Sequence, residues 1–478
     1  MFMRMIYDEK LAQAAYLIGC QRTGDAIVID PQRDVDRYIE IAEANELRIT
    51  AAAETHIHAD FLSGCRELAE RVGARVYLSD EGDEDWKYRW LDKKLGGGEY
   101  NHRLLRDGDE FAIGNIGFRV LHTPGHTPEH IAFLITDHGA DADAPIGLIS
   151  GDFIFVGDLG RPDLLETAAG ERGAMEPAAR RLYDSLGKIR GIPDFVQLWP
   201  GHGAGSACGK ALGAVPMSTI GYERRFNAAI RAGDDEQGFL DFILSGQPEP
   251  PLYFAAMKRD NKLGPRILGE LPKPSMVGAA DAMKIESSKD VIIDTRGWDA
   301  FRDGHIPGSL SFSLDSAFST NVGSMVTDEE TIYLVVEQSR LEEAVRDLVR
   351  IGLDRILGWI DPAELSKLGD SGEQLASIDE VSVREASELL EKDAAASLDV
   401  RRATEFAEGH ISGAENIAHT RIASRLDELD TNQRYLVNCR SGMRSAWTSA
   451  FLQRHGFDVV NLRGGMLAWE AEQRETVK

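Results

Sequence analysis

The C-terminal half of the chain contains two versions of one pattern. Ile293-Asp294-Thr295-Arg296, Phe301, Gly304-His305-Ile306 and Gly308 recur as Leu398-Asp399-Val400-Arg401, Phe406, Gly409-His410-Ile411 and Gly413, every landmark displaced by 105 residues. A period this long implies two copies of one domain and not the short stacked units of a solenoid. At 478 residues the chain has room for about three domains. The duplication therefore leaves one larger domain ahead of the two copies.

Up to about Pro250 strand-like runs (Ala26 to Ile29, Arg75 to Leu78, Phe118 to Leu121, Ile131 to Ile135, Ile146 to Ile149, Phe195 to Leu198) alternate with helix-like stretches such as Val35 to Ala44 and Pro177 to Ile189. That is an α/β pattern. Breaks at Gln247-Pro248-Glu249-Pro250-Pro251 and Leu271-Pro272-Lys273-Pro274 mark a transition. The expected organisation is a domain over 1–250, a linker or traverse over 251–279, a first copy over 280–370 and a second over 378–478.

Charge and cysteine usage narrow the function classes. A formal net charge of −26 repels nucleic acid and anionic membranes. Met1 to Ile6 runs directly into Tyr7-Asp8-Glu9-Lys10 with no apolar leader, and no uncharged stretch approaches a membrane span, so a cytoplasmic protein is expected. Cys20, Cys65, Cys208 and Cys439 stand far apart without a C-x-x-C spacing, which excludes a disulfide framework and a thiolate zinc knuckle. A cysteine that matters here should act as a thiol.

Thr55-His56-Ile57-His58-Ala59-Asp60 is followed by Phe61. Alone, such histidines are ordinary hydrogen-bonding residues near a strand end. Three further segments occur in order after strand-like runs: His122-Thr123-Pro124-Gly125-His126-Thr127, Ser150-Gly151-Asp152 and Trp199-Pro200-Gly201-His202-Gly203. Together they resemble the metal-site motifs of the metallo-β-lactamase superfamily over nearly all of 1–230. Where its two-metal hydrolases carry a further histidine this chain has Phe61, which cannot donate to a metal. The resemblance thus points to the superfamily's persulfide dioxygenase branch, with one Fe(II) per domain held by His56, His126 and Asp152. Two imidazoles and one carboxylate suit a non-haem iron that keeps open positions for O₂ and a substrate sulfur. His58, Asp60 and His202 are expected to support these ligands by hydrogen bonds, and His122 and His130 to be structural. Arg161, in Gly157-Asp158-Leu159-Gly160-Arg161, matches an arginine that holds a carboxylate of the carrier thiol. Cys208 lies just beyond the His202 loop, in Gly201 to Lys210. That stretch is not a phosphate loop, because Ala204 and Ala211 stand where Gly and Ser or Thr are needed. Either a tight-turn role or a persulfide-carrying thiol beside the metal fits Cys208.

Near the C-terminus, the strand-like Tyr435 to Asn438 delivers Cys439-Arg440-Ser441-Gly442-Met443-Arg444 ahead of a helix-like Ser445 to Gln453. A thiol at a strand-to-helix turn faces backbone N–H groups and the positive helix end, both of which favour thiolate. Arg440 and Arg444 add charge for thiosulfate, sulfite or a persulfide. The loop resembles the C-x-x-G-x-R active loop of rhodaneses, and both copies carry that family's D-x-R and G-H-I-x-G landmarks. Arg401 and His410 read as fold landmarks. In the first copy Tyr333 to Glu337 aligns with Tyr435 to Cys439, which puts Glu337 at the place of the nucleophile. That copy is expected to be inactive, with surface to spare for self-association.

The whole chain is similar to bacterial multidomain fusions of a persulfide dioxygenase with a sulfurtransferase, enzymes of sulfide detoxification. This implies a metallo-β-lactamase αββα sandwich followed by two α/β rhodanese-like domains. Implied partners are low-molecular-weight thiol persulfides, O₂, sulfite and thiosulfate. In the implied reaction both atoms of O₂ go to the terminal sulfur, and water releases sulfite and thiol. Sulfite then meets a persulfide to give thiosulfate, or the flow runs in reverse. The alternative is a metal-dependent, glyoxalase II-like thioesterase with a sulfur-carrying rhodanese tail.

Overall fold

The structure, a computed structural model, describes residues 1–93, 98–167, 172–247, 249–371 and 374–478. Pro248, part of the first proline-rich break, lies outside the described residues. The chain divides into two compact units, the first covering 1–270 together with 350–352, the second the remainder from 271.

The first unit holds two six-stranded sheets. β1 (Phe2–Asp8), β2 (Gln13–Cys20), β3 (Asp25–Ile29), β4 (Arg48–Ala53), β5 (Arg75–Ser79) and β6 (His102–Leu105) follow one another across the first sheet. β7 (Glu110–Ile113), β8 (Ile116–His122), β9 (Ile131–Asp137), β10 (Gly147–Gly151), β11 (Gln197–Pro200) and β12 (Ser218–Thr219) do the same in the second. Successive side chains of a strand point to opposite faces, and here both faces are covered. In β3, Ala26 and Val28 pack with Tyr38, Ala42 and Leu68 of the helices Asp36–Ala44 and Cys65–Val72. Ile27 and Ile29 turn instead to the middle layer, with Phe118, Phe133 and Trp199 of the other sheet. Ala132 and Leu148 of the second sheet meet Leu182, Leu186 and Phe239 of the helices Met175–Ile189 and Glu236–Leu244. The result is an α/β/β/α stack. Strands buried on both sides read as unbroken apolar runs, which is why Ile131 to Ile135 shows no polar alternation.

The 251–279 segment differs from expectation. It carries a helix, Phe254–Leu263, that belongs to the first unit and buries Phe254, Met257 and Asn261. The flanking proline runs suggested a linker because a helix of three turns with one short buried stripe leaves a weak periodic signal beside them.

The second unit repeats one topology. β13 (Ser275–Met276), β14 (Asp290–Asp294), β15 (Leu310–Ser311), β16 (Thr331–Val335) and β17 (Ile356–Ile360) lie in the order β13-β17-β16-β14-β15. β18 (Asp379–Val381), β19 (Ala396–Asp399), β20 (Glu415–Asn416), β21 (Arg434–Asn438) and β22 (Asp458–Leu462) give the same order, β18-β22-β21-β19-β20. Every pairing in both sheets is parallel. The landmark residues do the same work in each copy. Arg296 grips both oxygens of Asp294 and donates to the Gly304 carbonyl at 2.8 Å. Arg401 does the same with Asp399 and with the Gly409 carbonyl, at 2.7 Å. His305 stacks on Phe301 at 3.9 Å, and His410 on Phe406 at 3.7 Å. Trp298 and Arg302 of the first copy donate to Glu380 of the second, as do Asn461 and Arg463.

Candidate metal centre and thiol site

The candidate ligands arrive on strand ends of both sheets. His56 follows β4, His126 sits between β8 and β9, Asp152 follows β10 and His202 follows β11. One ligand atom each from His56, His126 and Asp152 falls within 4.8 Å of the others, and all three residues are buried. Asp152 Oδ2 lies 3.4 Å from His126 Nε2 and 3.9 Å from His56 Nε2.

The hydrogen bonds fix which ring nitrogens face inward. Thr55 Oγ1 donates to Asp30 Oδ2 at 2.8 Å, so it accepts from His56 Nδ1 at 3.0 Å. His126 Nδ1 donates to the Arg161 carbonyl at 3.0 Å. Each ring therefore spends its N–H away from the centre and aims a lone pair at Asp152, the tautomer a metal ligand needs. Asp152 is 1% exposed, and among the described residues neither of its carboxylate oxygens receives a hydrogen bond. Burying a carboxylate without a donor is costly. A cation between these three groups removes the cost, so the residues fit a metal ion. Burial alone would raise the Asp152 carboxyl, yet the surrounding imidazoles, His202 and His126 first, hold it below its usual range. Burial, and then the neighbouring imidazoles, drive His56 well below its ordinary value, which keeps it neutral and able to ligate.

A second donor group lies alongside. Asp60, His202 and Cys208 also bring ligand atoms within 4.8 Å of one another. His202 Nδ1 donates to the Ala12 carbonyl at 3.1 Å, and its Nε2 faces Asp60 Oδ2 at 3.3 Å and Asp152 Oδ1 at 3.5 Å. Burial and the charges of Asp152 and Asp60 push the Cys208 thiol well above its ordinary value. His58 is turned away: Nε2 pairs with Asp30 at 3.1 Å, and its ring packs on Phe61 at 4.4 Å. Phe61 is fully buried there, and its carbonyl and that of His58 accept from the Asn261 amide at 2.7 and 2.8 Å.

Arg161, expected to hold a carboxylate of the carrier thiol, is paired within its own chain. Nε and Nη2 hold both oxygens of Asp163 at 2.8 and 2.6 Å, Nη1 donates to the Ala207 carbonyl at 3.1 Å, and the residue is 1% exposed. Asp163, two residues on, supplies the carboxylate that a substrate was expected to bring. Arg161 instead stiffens the loop whose carbonyl orients His126.

Several further residues support the centre. His130 Nε2 accepts the Asp152 N–H at 3.0 Å while Nδ1 donates to Thr123 Oγ1 at 2.8 Å, which fixes the metal carboxylate through its backbone. His122 bonds the Pro128 carbonyl at 2.9 Å. Asp30 takes the Thr55 N–H at 2.7 Å as well as its hydroxyl, from a backbone position with φ of 52° just past β3. No local motif announces it. A side chain on Gly160 would come within 1.8 Å of the Asp152 carbonyl, so the loop can close over Asp152 only there being none.

Cys439 occupies the turn between β21 and the helix Met443–Arg454 and is fully buried. Gly442 N–H donates to its Sγ at 3.1 Å and Ser445 Oγ at 3.5 Å. Gly442 has φ of 97°, a left-handed conformation that bends the loop around the sulfur at little cost only for glycine. Arg440 is exposed at the rim, whereas Arg444 pairs with both oxygens of Glu405 at 2.7 and 2.8 Å. In the first copy the chain reaches Glu337, exposed, and enters a short 3₁₀ helix, Gln338–Arg340.

The metallo-beta-lactamase superfamily profile matches residues 9–202, and the rhodanese-like domain profile matches residues 382–472. A Burkholderia pseudomallei protein named as a metallo-hydrolase is 30% identical over 255 residues, 49% of this chain and 82% of that one. The chain belongs to the metallo-beta-lactamase superfamily. A solved metallo-beta-lactamase structure from Staphylococcus aureus, 41% identical, covers 75% of this superfamily member and 98% of its own chain with a TM-score of 0.66. YtwF of Bacillus subtilis, named as a sulfurtransferase, is 41% identical over 98 residues, 20% of this chain and 95% of its own. This member of the superfamily thus carries a rhodanese-like domain behind its metallo-beta-lactamase fold. Among the described residues no helix is long and apolar enough to cross a membrane.

Proposed function

We propose that the first unit is an Fe(II)-dependent persulfide dioxygenase and that Cys439 is the sulfur-accepting nucleophile of a thiosulfate sulfurtransferase on the same chain, serving sulfide detoxification. The observation that carries this reading is the pairing of a two-histidine, one-carboxylate donor set with a buried phenyl ring at Phe61. Iron held by His56, His126 and Asp152 would supply positions where O₂ and a persulfide sulfur can meet. Thr55, Asp30 and the Arg161 carbonyl keep the two imidazole lone pairs aimed at Asp152, and the His130 ring holds the Asp152 backbone. The net change balances as RSS⁻ + O₂ + H₂O giving RSH + SO₃²⁻ + H⁺. At the other site the Gly442 N–H and Ser445 hydroxyl stabilise negative charge on Cys439 sulfur, whose persulfide passes its outer sulfur to sulfite. The first repeat is read as a rhodanese-like domain without a nucleophile. One chain holding both centres raises the effective concentration of sulfite at the Cys439 persulfide.

A second reading, a two-metal hydrolase of thioesters, draws on Asp60, His202 and Cys208 as ligands of another ion. The test is O₂ uptake after anaerobic iron loading, with a thiol persulfide as substrate, set against thioester hydrolysis by the zinc form. Uptake with sulfite release supports the dioxygenase. Hydrolysis without uptake supports the hydrolase. Replacing Cys208 by Ser separates its two roles: unchanged turnover with every persulfide removes it from the reaction.

A further inference from the structure

The sheet order β18-β22-β21-β19-β20 changes its direction of winding at β19, because β20 lies on one side of that strand and β21 on the other. In a parallel sheet a ligand fits the crevice beyond the carboxyl ends of the two strands at such a reversal. Cys439 follows β21 into this crevice, and Arg402 follows β19. His419, past the end of β20, is tied to the same edge by its backbone N–H, which donates to the Val400 carbonyl at 3.0 Å. Its ring lies 6.3 Å from that of Trp447, about one helical turn beyond Arg444. Burial, and then the charges of Arg444 and Arg402, push the pKa of this ring down, so it stands neutral beside two cations. Arg444 interacts in turn with Cys439, and its guanidinium is already paired with Glu405.

His419 is 8% exposed, and neither ring nitrogen has a hydrogen-bond partner among the described residues; of the two, only Nδ1 is closed off from solvent. A buried donor without an acceptor costs more than a buried acceptor without a donor. The proton therefore belongs on Nε2, at the accessible edge. The first copy shows that the fold does not need these groups. At the 105-residue spacing Gly297, Ala300 and Leu314 replace Arg402, Glu405 and His419, and at the 102-residue spacing of the nucleophile loop Glu342 replaces Arg444. The polar set is lost together with the thiol, while the landmarks stay.

We propose that His419 is a substrate-binding residue of the Cys439 site: its Nε2–H donates to a sulfonyl oxygen of thiosulfate, and of the sulfite that leaves, which favours sulfonyl-bearing donors over plain persulfides. The inference rests on reading Cys439 as the sulfur acceptor. In the transfer the Cys439 thiolate attacks the outer sulfur, the S–S bond of thiosulfate breaks, and its electron pair leaves on sulfite. The step balances as Cys–S⁻ + S₂O₃²⁻ giving Cys–S–S⁻ + SO₃²⁻. A neutral N–H holds the departing oxyanion without drawing Glu405 off Arg444. A persulfide carries no oxygen on its sulfurs and gains nothing from the contact.

The test is anaerobic sulfur transfer to cyanide by the full chain, read as thiocyanate, with thiosulfate and the persulfide of 2-mercaptoethanol as alternative donors and the Cys439→Ser rate subtracted. In His419→Leu the ratio of kcat/KM for thiosulfate to that for the persulfide is expected to fall about 10-fold. In His419→Gln, whose amide N–H reaches the place of Nε2, it should stay within about 3-fold of wild type. Each ratio is internal to one protein, so a general loss of stability cancels. A His419→Leu ratio equal to that of wild type overturns the proposal and leaves the sulfurtransferase reading standing. So does a His419→Gln ratio as low as that of His419→Leu. Transfer by the wild type from the persulfide alone overturns the proposal too. Transfer from neither donor overturns the sulfurtransferase reading and the proposal with it.

Discussion

The two copies in the second unit share a skeleton and part at a single turn. Asp294 and Arg296 make the same bidentate pair as Asp399 and Arg401, and the same histidine-on-phenylalanine stack follows each. After the central strand, one copy wraps Cys439 in N–H and O–H donors, while the other sends the exposed Glu337 into a 3₁₀ helix. The landmarks that make the copies recognisable thus belong to the fold. On the proposed reading the chemistry belongs to six residues after β21, and the first copy keeps the fold without them.

That separation can be broken most decisively at the thiol. Cys439→Ser should lower sulfur transfer from thiosulfate by roughly 10³-fold or more while O₂ uptake on a preformed persulfide persists. Glu337→Cys should restore none of it, because that position is exposed and leads into a 3₁₀ helix. A Glu337→Cys protein that rescued transfer in the Cys439→Ser background would erase the distinction. Next in size are the shared landmarks. Asp294→Ala and Asp399→Ala each leave a largely buried arginine without its carboxylate and should each cost about 3–5 kcal/mol, read from denaturant unfolding. A large cost in one copy and none in the other would show that the copies are not held in the same way.

A smaller effect distinguishes them by pH. His419 in the second copy is nearly buried, its Nδ1 has no hydrogen-bond partner among the described residues, and burial, then the charge of Arg444, lowers its pKa to about 3. The same 105-residue spacing puts Leu314 at the equivalent place in the first copy. Because the folded value lies below the unfolded value near 6.5, the neutral ring's contribution is complete above that pH. It is lost as pH falls from there towards 3, by about 1.4 kcal/mol per pH unit at most. His419→Leu should flatten that part of the stability profile between pH 6 and 4. An unchanged acid limb would mean that other groups govern it.

Much of this was legible in the residues. Strand-like runs such as Arg75 to Leu78 and Ile131 to Ile135 fall on β5 and β9, and the helix-like Ser445 to Gln453 lies within Met443–Arg454. His56, His126 and Asp152 were named by the resemblance of their motifs, and they meet because each lies beyond a strand whose end the sheet positions. The helix Phe254–Leu263 was hidden between proline runs. Asp30 and Asn261 support the centre from far along the chain, so no local spacing could reveal them. Arg161 was assigned by its match to a family arginine, and its pairing with Asp163 depends on how the loop folds.

Whether the His56, His126 and Asp152 centre oxidises persulfide sulfur, as proposed, is decided by O₂ consumption of the anaerobically iron-loaded full chain. With a thiol persulfide, one equivalent of O₂ should be consumed per persulfide and sulfite formed, and both should be lost together with the iron in Asp152→Ala. No uptake with any persulfide by a protein carrying its iron would contradict it.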